Sequence, residues 1–387
     1  MDEQERDEAI VRIPVDMTRD RLQYMMAQIG VNLVSDQQSC PYRINTVHDG
    51  LALQKVIRAI AVARDERVDF LIFPEMSISK DWIEDILVEF MKCSYPLILI
   101  LPLEHLPLDE FCAIVSNHPD IFHGTDTSSL FSNYSPHWRH ELFVNSAIIC
   151  FRNDNECFFV YQPKLFANEM EQPHKNPTAR FLRGRNIRVI EAPGCRFAVA
   201  ICFDMVARTT HTEPLQTLDK LQNSLYPDPV SLLFIPQLNL KPNHEVFIRA
   251  AERFYRNRPH QHIATSIINV NAGGLQVDGA ALEGYGDSSI YTPCPEDCSF
   301  PYILVESDPK PEQGRDIESV RLPNPIKRLQ LQQKNDWLIF VETLAPGQYL
   351  VQSSPGYDHT LCLRVMKWDA SRSFQPTSLT PCFQSEE

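Results

Sequence analysis

Apolar residues along this chain fall into short blocks of two periodicities. Leu22 to Leu33 is a strand-like apolar stretch. From Asp49 to Ala63, Leu51, Leu53, Val56, Ile57 and Ile60 gather on one side, which predicts a helix. Val68 to Phe73 reads as a short buried strand ending in Pro74 and Glu75. Between Asp81 and Met91, Trp82, Ile83, Ile86, Leu87 and Phe90 recur at three and four, a second amphipathic helix. Leu97 to Leu103 is the next strand. Phe143 to Phe151 and Glu156 to Gln162 flank a polar turn and predict a hairpin, and Ile187 to Glu191 and Arg196 to Cys202 repeat that form around Pro193 and Gly194. Further on, Ser231 to Pro236 predicts a strand, Glu245 to Tyr255 a helix, and His262 to Asn269 and Ser288 to Tyr291 two more strands. Strands alternate with helices early and pair as hairpins later. Two sheets with helices outside them accommodate both habits.

The same pass suggests three regions: a polar, loosely packed leader over residues 1–20, a main domain over 21–300, and an extension over 301–387. Residues 104–141 read as one long polar connection holding His105, His118, His123, His137 and His140, and a connection of that length is usually functional or disordered. In the extension, Trp337 to Glu342 and Tyr349 to Gln352 are too apolar to stay solvated. They are expected to pack on the domain or, by preference, against a second subunit.

Charge narrows the function. The 387 residues hold 36 Lys and Arg against 50 Asp and Glu, a formal charge of −14. Phosphate recognition needs clustered cations, so nucleic acid and anionic membrane are poor partners. The Arg249, Arg253 and Arg256 run shares a helix face with Glu245 and Glu252, which suits a solvated or subunit-facing helix. The N-terminus is acidic, and no apolar run approaches the ~20 residues of a membrane helix, so a cytoplasmic location is expected. The 11 cysteines are odd in number and scattered, which reads as reduced thiols. Cys294 and Cys298 could form half a zinc site, but no second pair follows at zinc spacing, and the His137/His140 and His260/His262 pairs lack a third ligand. No metal is expected.

Three buried strands each stop at a reactive side chain: Asp69 to Glu75, Phe158 to Lys164 and Phe197 to Asp204, the last carrying Cys202. Taken singly, a solvated glutamate, a surface lysine and an inert core thiol are ordinary. Together they form a chemical set. A carboxylate can remove a thiol proton, an ammonium can lower the thiol pKa and hold an oxyanion, and the thiolate is a strong nucleophile.

On these residues the chain resembles the nitrilase, or carbon–nitrogen hydrolase, superfamily. Leu71-Ile-Phe-Pro-Glu-Met-Ser77 is similar to its glutamate motif, Val160-Tyr-Gln-Pro-Lys-Leu165 to its lysine motif and Val199-Ala-Ile-Cys-Phe-Asp204 to its cysteine motif. Val144 to Ala147, Phe181 to Gly184, Leu233 to Pro236, Arg249 to Glu252 and Gly286 to Ile290 resemble flanking segments in the family order. Two departures stand out: Pro163 precedes the lysine, and Met205-Val-Ala-Arg208 replaces the usual Pro-Glu after the cysteine.

The resemblance implies an α/β (α+β) fold of the α-β-β-α sandwich type, and a homodimer or larger homo-oligomer. It implies hydrolysis of an amide, carbamoyl or nitrile substrate through Glu75, Lys164 and Cys202, with the Phe203 backbone N–H at the oxyanion. A second glutamate near the substrate would be Glu171, with Glu169 as the runner-up. No metal or organic cofactor is implied. Two other readings remain open: an acyltransferase on the same scaffold, or a non-catalytic interaction or sensor module, with 104–141 or the extension as a protein-binding surface.

Overall fold

The computed structural model describes residues 10–19, 21–36, 43–46, 50–117, 142–153, 156–168, 171, 180–184, 186–206, 230–240, 246–247, 250–251, 254, 265–282, 285–286, 288–293, 326–330, 336–344, 363–369 and 371–376. The chain begins with β1 (Ile10–Arg12), β2 (Arg21–Gln28), β3 (Gly30–Asp36) and β4 (Arg43–Thr46). Helix α1 (Gly50–Glu66) leads to β5 (Phe70–Ile72), α2 (Ile83–Phe90), β6 (Ile98–Pro102), β7 (Leu106–Pro107) and α3 (Leu108–Asn117). Then come β8 (Leu142–Val144), β9 (Ser146–Asn153), β10 (Glu156–Pro163), β11 (Arg180–Phe181), β12 (Val189–Ala192) and β13 (Cys195–Val199). The rest of the chain gives β14 (Leu232–Gln237), β15 (Ser266–Asn271), β16 (Gly274–Val277), β17 (Ala280–Leu282) and β18 (Ser289–Pro293). Last are β19 (Ile326–Gln330), β20 (Trp337–Leu344), β21 (Leu363–Trp368) and β22 (Phe374–Pro376).

Two large sheets form the body. One runs β10-β9-β6-β5-β2-β20-β21-β22, the other β1-β12-β13-β14-β15-β18-β19. At the centre of the first, β2, β5 and β6 are parallel, with Tyr24 opposite Phe70 and Phe70 opposite Ile98. At the centre of the second, β13, β14 and β15 are parallel. Central strands covered on both faces must be apolar at nearly every position, and β5, β6 and β14 are.

The layers follow from where the core residues point. Tyr24, Phe70, Ile72 and Ile100 of the first sheet meet Phe197, Val199, Phe234 and Ile268 of the second. The Phe70 ring lies 5.1 Å from that of Phe197, edge to face, and 5.1 Å from that of Phe234. Behind the first sheet, Val56, Ala59, Ile60 and Ala63 of α1, Ile86 and Phe90 of α2 and Phe111 of α3 pack against Met25, Leu71 and Leu99. Behind the second, Ala250, Ala251 and Phe254, all at helical positions, pack against Ala198, Leu233 and Ile267. The order is helix, sheet, sheet, helix, the expected α-β-β-α sandwich.

Several expectations need correction. The Leu22–Leu33 stretch is two strands, because the chain leaves the large sheet at Ile29 and β3 pairs with β16 and β4 instead. Part of the leader is ordered structure: β1 pairs with β12, and Ile13, Val15 and Met17 alternate into the core between the sheets. The 104–141 connection opens with β7 and α3, because Leu108 and Phe111 are buried one helical turn apart; residues 118–141 lie outside the described residues. Of the two places expected for the extension, the domain takes its described strands. Strand β20 pairs along its whole length with β2, and β21 and β22 continue that sheet. Tyr349–Gln352, Cys294, Cys298, Glu169, Arg249, Arg253, Arg256 and the paired histidines lie outside the described residues.

Candidate active site

Strand β5 ends at Ile72, and Phe73 and Pro74 carry the chain to Glu75. Strand β10 ends at Pro163, directly before Lys164. Strand β13 ends at Val199, and two residues, Ala200 and Ile201, separate it from a 3-10 turn over Cys202–Met205. Three strand ends therefore bring together the three groups that the sequence singles out. Glu75, Lys164 and Glu171 are each at most 1% exposed, and Cys202 is 5% exposed.

Lys164 Nζ is the hub. It donates to Glu75 Oε1 at 2.6 Å and to Glu171 Oε2 at 2.6 Å. Asn145, between β8 and β9, donates from Nδ2 to Glu75 Oε1 at 2.9 Å and to Glu171 Oε1 at 2.6 Å. The Asn168 backbone N–H adds a bond to Glu171 Oε2 at 2.8 Å. The lysine's own backbone N–H donates to the Asn145 carbonyl at 2.8 Å, so main chain and side chain are tied to the same residue.

One buried ammonium between two carboxylates leaves a surplus negative charge, and the environment divides it unequally. Burial would raise the Glu171 pKa, but the Lys164 ammonium, His105 and the Asn168 N–H hold it below the usual carboxylate range. For Glu75 burial wins over Lys164, and the neighbouring Glu171 charge adds to it, so its pKa is raised. Lys164 stays protonated: burial opposes its charge, but Glu171 and Glu75 more than offset that. When two carboxylates are pushed apart in this way, the raised one is the proton carrier and the lowered one a fixed counter-charge.

Cys202 sits at φ 43°, in the left-handed region that side-chain-bearing residues seldom occupy, and Met76, the neighbour of Glu75, sits at φ 54°. Burial and then the Glu75 charge push the Cys202 thiol well above its ordinary pKa, while Lys164 and the Leu238 backbone N–H favour the thiolate. The resting thiol is therefore protonated, with the Glu75 carboxylate beside it to receive the proton. Phe203 follows in the turn, 37% exposed. Its backbone N–H makes no hydrogen bond to any described residue.

Asp204 joins two of the segments. Its carboxylate accepts the N–H groups of Leu165 at 2.9 Å, Phe166 at 2.9 Å and Ile201 at 3.3 Å. Burial pushes its pKa up to about 7, against Lys164 and those N–H groups. Asn145, Asp204 and Leu238 all belong to segments visible in the sequence but were not expected as site residues. A buried asparagine between two strands was the available signal for the first. His105 is a further addition: it stacks on Phe143 at 4.8 Å and feels the charges of Glu171 and Lys164. Among the described residues no group of three or more His, Cys, Asp or Glu side chains is placed to hold a metal ion. No helix among them is long and apolar enough to cross a membrane.

No family model and no curated protein matches the chain. Among solved structures it is similar to an amidase from Nesterenkonia sp., at 12% identity and TM-score 0.40 over 70% of this chain and 83% of that one. A cysteine-to-alanine variant of the Nesterenkonia AN1 amidase from the nitrilase superfamily matches at 11% identity and TM-score 0.41, over 81% of this chain and 92% of that one. A glutamate-to-glutamine variant of the same amidase, with acrylamide added at its active-site cysteine, matches at 12% identity and TM-score 0.40, over 70% and 84%.

Proposed function

We propose that this chain is a nitrilase-superfamily enzyme, a thiol-dependent hydrolase of non-peptide carbon–nitrogen bonds in amides, carbamoyl compounds or nitriles. The observation that carries this reading is the Lys164 ammonium held at 2.6 Å from both Glu75 and Glu171, beside a thiol on a strained turn. Glu75 takes the Cys202 proton, and the sulfur forms a bond to the substrate carbon. Lys164 and the Phe203 N–H hold the oxyanion, where fixed donors in a dry site stabilise developing charge by several kcal/mol. In an amide or carbamoyl compound the C–N bond breaks, the nitrogen leaves with the proton from Glu75, and a thioester remains; a nitrile takes that proton on its nitrogen to give a thioimidate, which adds water across C=N and then loses ammonia to give the same thioester. Water, deprotonated by the same carboxylate, then releases the acid and restores the thiol. Glu171 keeps Lys164 charged throughout.

The test is mass spectrometry of the protein after incubation with a library of small amides and nitriles. An acyl adduct on the Cys202 peptide, absent from Cys202→Ala, is the expected result. An unmodified Cys202 across the whole library, or an adduct that survives the substitution, overturns the reading.

A further inference from the structure

Tyr285 lies against the site, and the steps above do not use it. Its ring is buried at 2% exposure and packs in one cluster with Met76, Phe143 and Leu238. Met76 is bonded to Glu75, and Leu238 is the residue whose N–H supports the Cys202 sulfur. Tyr285 is thus fixed beside the residues that flank the base and the nucleophile. The chain flanking Lys164 packs elsewhere, with Leu165 in the core behind the second sheet. The electrostatics agree, since Cys202 and Glu75 are the charges the tyrosine feels.

The mount is rigid. Asn271, at the end of β15 and fully buried, donates from Nδ2 to the Gly286 carbonyl at 2.7 Å and to the Asn239 carbonyl at 2.9 Å. Its Oδ1 accepts the Asn239 N–H at 2.9 Å, and its own N–H donates to Ser288 Oγ at 3.1 Å. Gln28 Oε1 accepts the Ser288 N–H at 3.1 Å. One asparagine therefore ties the residue after Leu238 to the residue after Tyr285. Gly286 turns at φ 105°, a conformation that favours glycine. The tyrosine hydroxyl, held this firmly, makes no hydrogen bond to any described residue.

We propose that Tyr285 is a substrate-contacting residue whose hydroxyl holds the leaving nitrogen of a primary amide beside Glu75. This rests on the hydrolase reading above. The carbonyl oxygen faces Lys164 and the Phe203 N–H, so the amide nitrogen faces the thiol and base side, where Tyr285 stands. In the ground state the hydroxyl accepts one amide N–H. As the C–N bond breaks, the nitrogen takes the Glu75 proton and leaves as ammonia, and the hydroxyl stays neutral. Its contribution belongs to acylation alone, because deacylation has no nitrogen in the site.

The test compares wild type with Tyr285→Phe in two half-reactions. Acylation is followed in single turnover with a series of primary amides from acetamide to hexanamide. Deacylation is followed on the acetyl-enzyme made from p-nitrophenyl acetate, whose leaving group is an oxygen. Acylation by the amides should slow at least ~10-fold, with deacylation within about twofold of wild type. Equal acylation rates overturn the role of Tyr285 and leave the hydrolase reading standing. An equal loss in both half-reactions also overturns it, since that marks a general disturbance of the site. A wild-type protein that no amide of the series acylates overturns the primary-amide proposal itself.

Discussion

At the scale of single residues, the site is governed by how burial shifts charge, and His105 shows this outside the reacting groups. Burial pushes its pKa from 6.5 down to about 4, the nearby Glu171 charge opposing and Lys164 assisting. The unfolded chain therefore binds a proton at higher pH than the native protein does. The stability that this neutral ring contributes is complete above pH 6.5 and is lost as pH falls towards about 4, roughly 3 kcal/mol in all. His105→Phe keeps a ring between Phe143 and Phe181 and removes the titration. Urea unfolding at pH 7, 5.5 and 4.5 should show a flatter loss for the variant, and parallel losses would refute the assignment. His105 was not legible as a site residue, because one histidine among five in a polar stretch carries no spacing signal. Glu75, Lys164 and Cys202 were legible, because each ends an apolar strand and their chemistry is complementary. Asn145 was visible only as part of a motif. Its work, two hydrogen bonds to the carboxylates of Glu75 and Glu171, which lie far apart in sequence, exists only once the sheets have formed.

At the scale of elements, the short segments after β10 and β13 matter more than the strands themselves. Pro163 is no obstacle before Lys164, since it ends β10 opposite Ser146 on the neighbouring β9. The Phe181–Gly184 segment lies against this point. The Gly184 N–H donates to the Lys164 carbonyl at 2.9 Å, and a Cβ on Gly184 would meet Pro163 Cγ, Pro163 O and Leu165 Cδ2 at 2.8 Å. Gly184→Ala should therefore push the lysine segment aside. A displacement near 1 Å at a reacting group can cost ~100-fold in rate, so turnover should fall at least ~10-fold while far-ultraviolet circular dichroism stays unchanged. Wild-type turnover in this variant would show that the contact relaxes without moving Lys164. Helices α1 and α2 and the β9–β10 hairpin were legible from period and turn chemistry. Helix α3 was passed over although Leu108, Phe111, Cys112 and Val115 stand at i, i+3, i+4 and i+7, because the histidines and polar residues that follow made the whole of 104–141 read as one connection.

At the scale of the whole molecule, the extension completes the first sheet of the domain, one of the two places expected for it. Leu338 and Phe340 pack on the helix side of the first sheet, and Trp337, Ile339 and Val341 on the side facing the second. Removing everything after residue 325 would strip β2 of a partner and leave an apolar strand edge open. That truncated protein should be insoluble or aggregate on size-exclusion chromatography, and a soluble, folded product would contradict the pairing. Sequence reading left the choice open because the apolar run Trp337 to Val341 identifies a strand but not its partner, which lies more than three hundred residues away along the chain. That distance has a consequence for synthesis. A ribosome adds about 5–20 residues per second, so β2 waits roughly 15–60 s for β20 to be made. During that time β2 lacks this neighbour and the nascent sheet is an open template, and among the described residues this strand pairing spans the greatest distance along the chain.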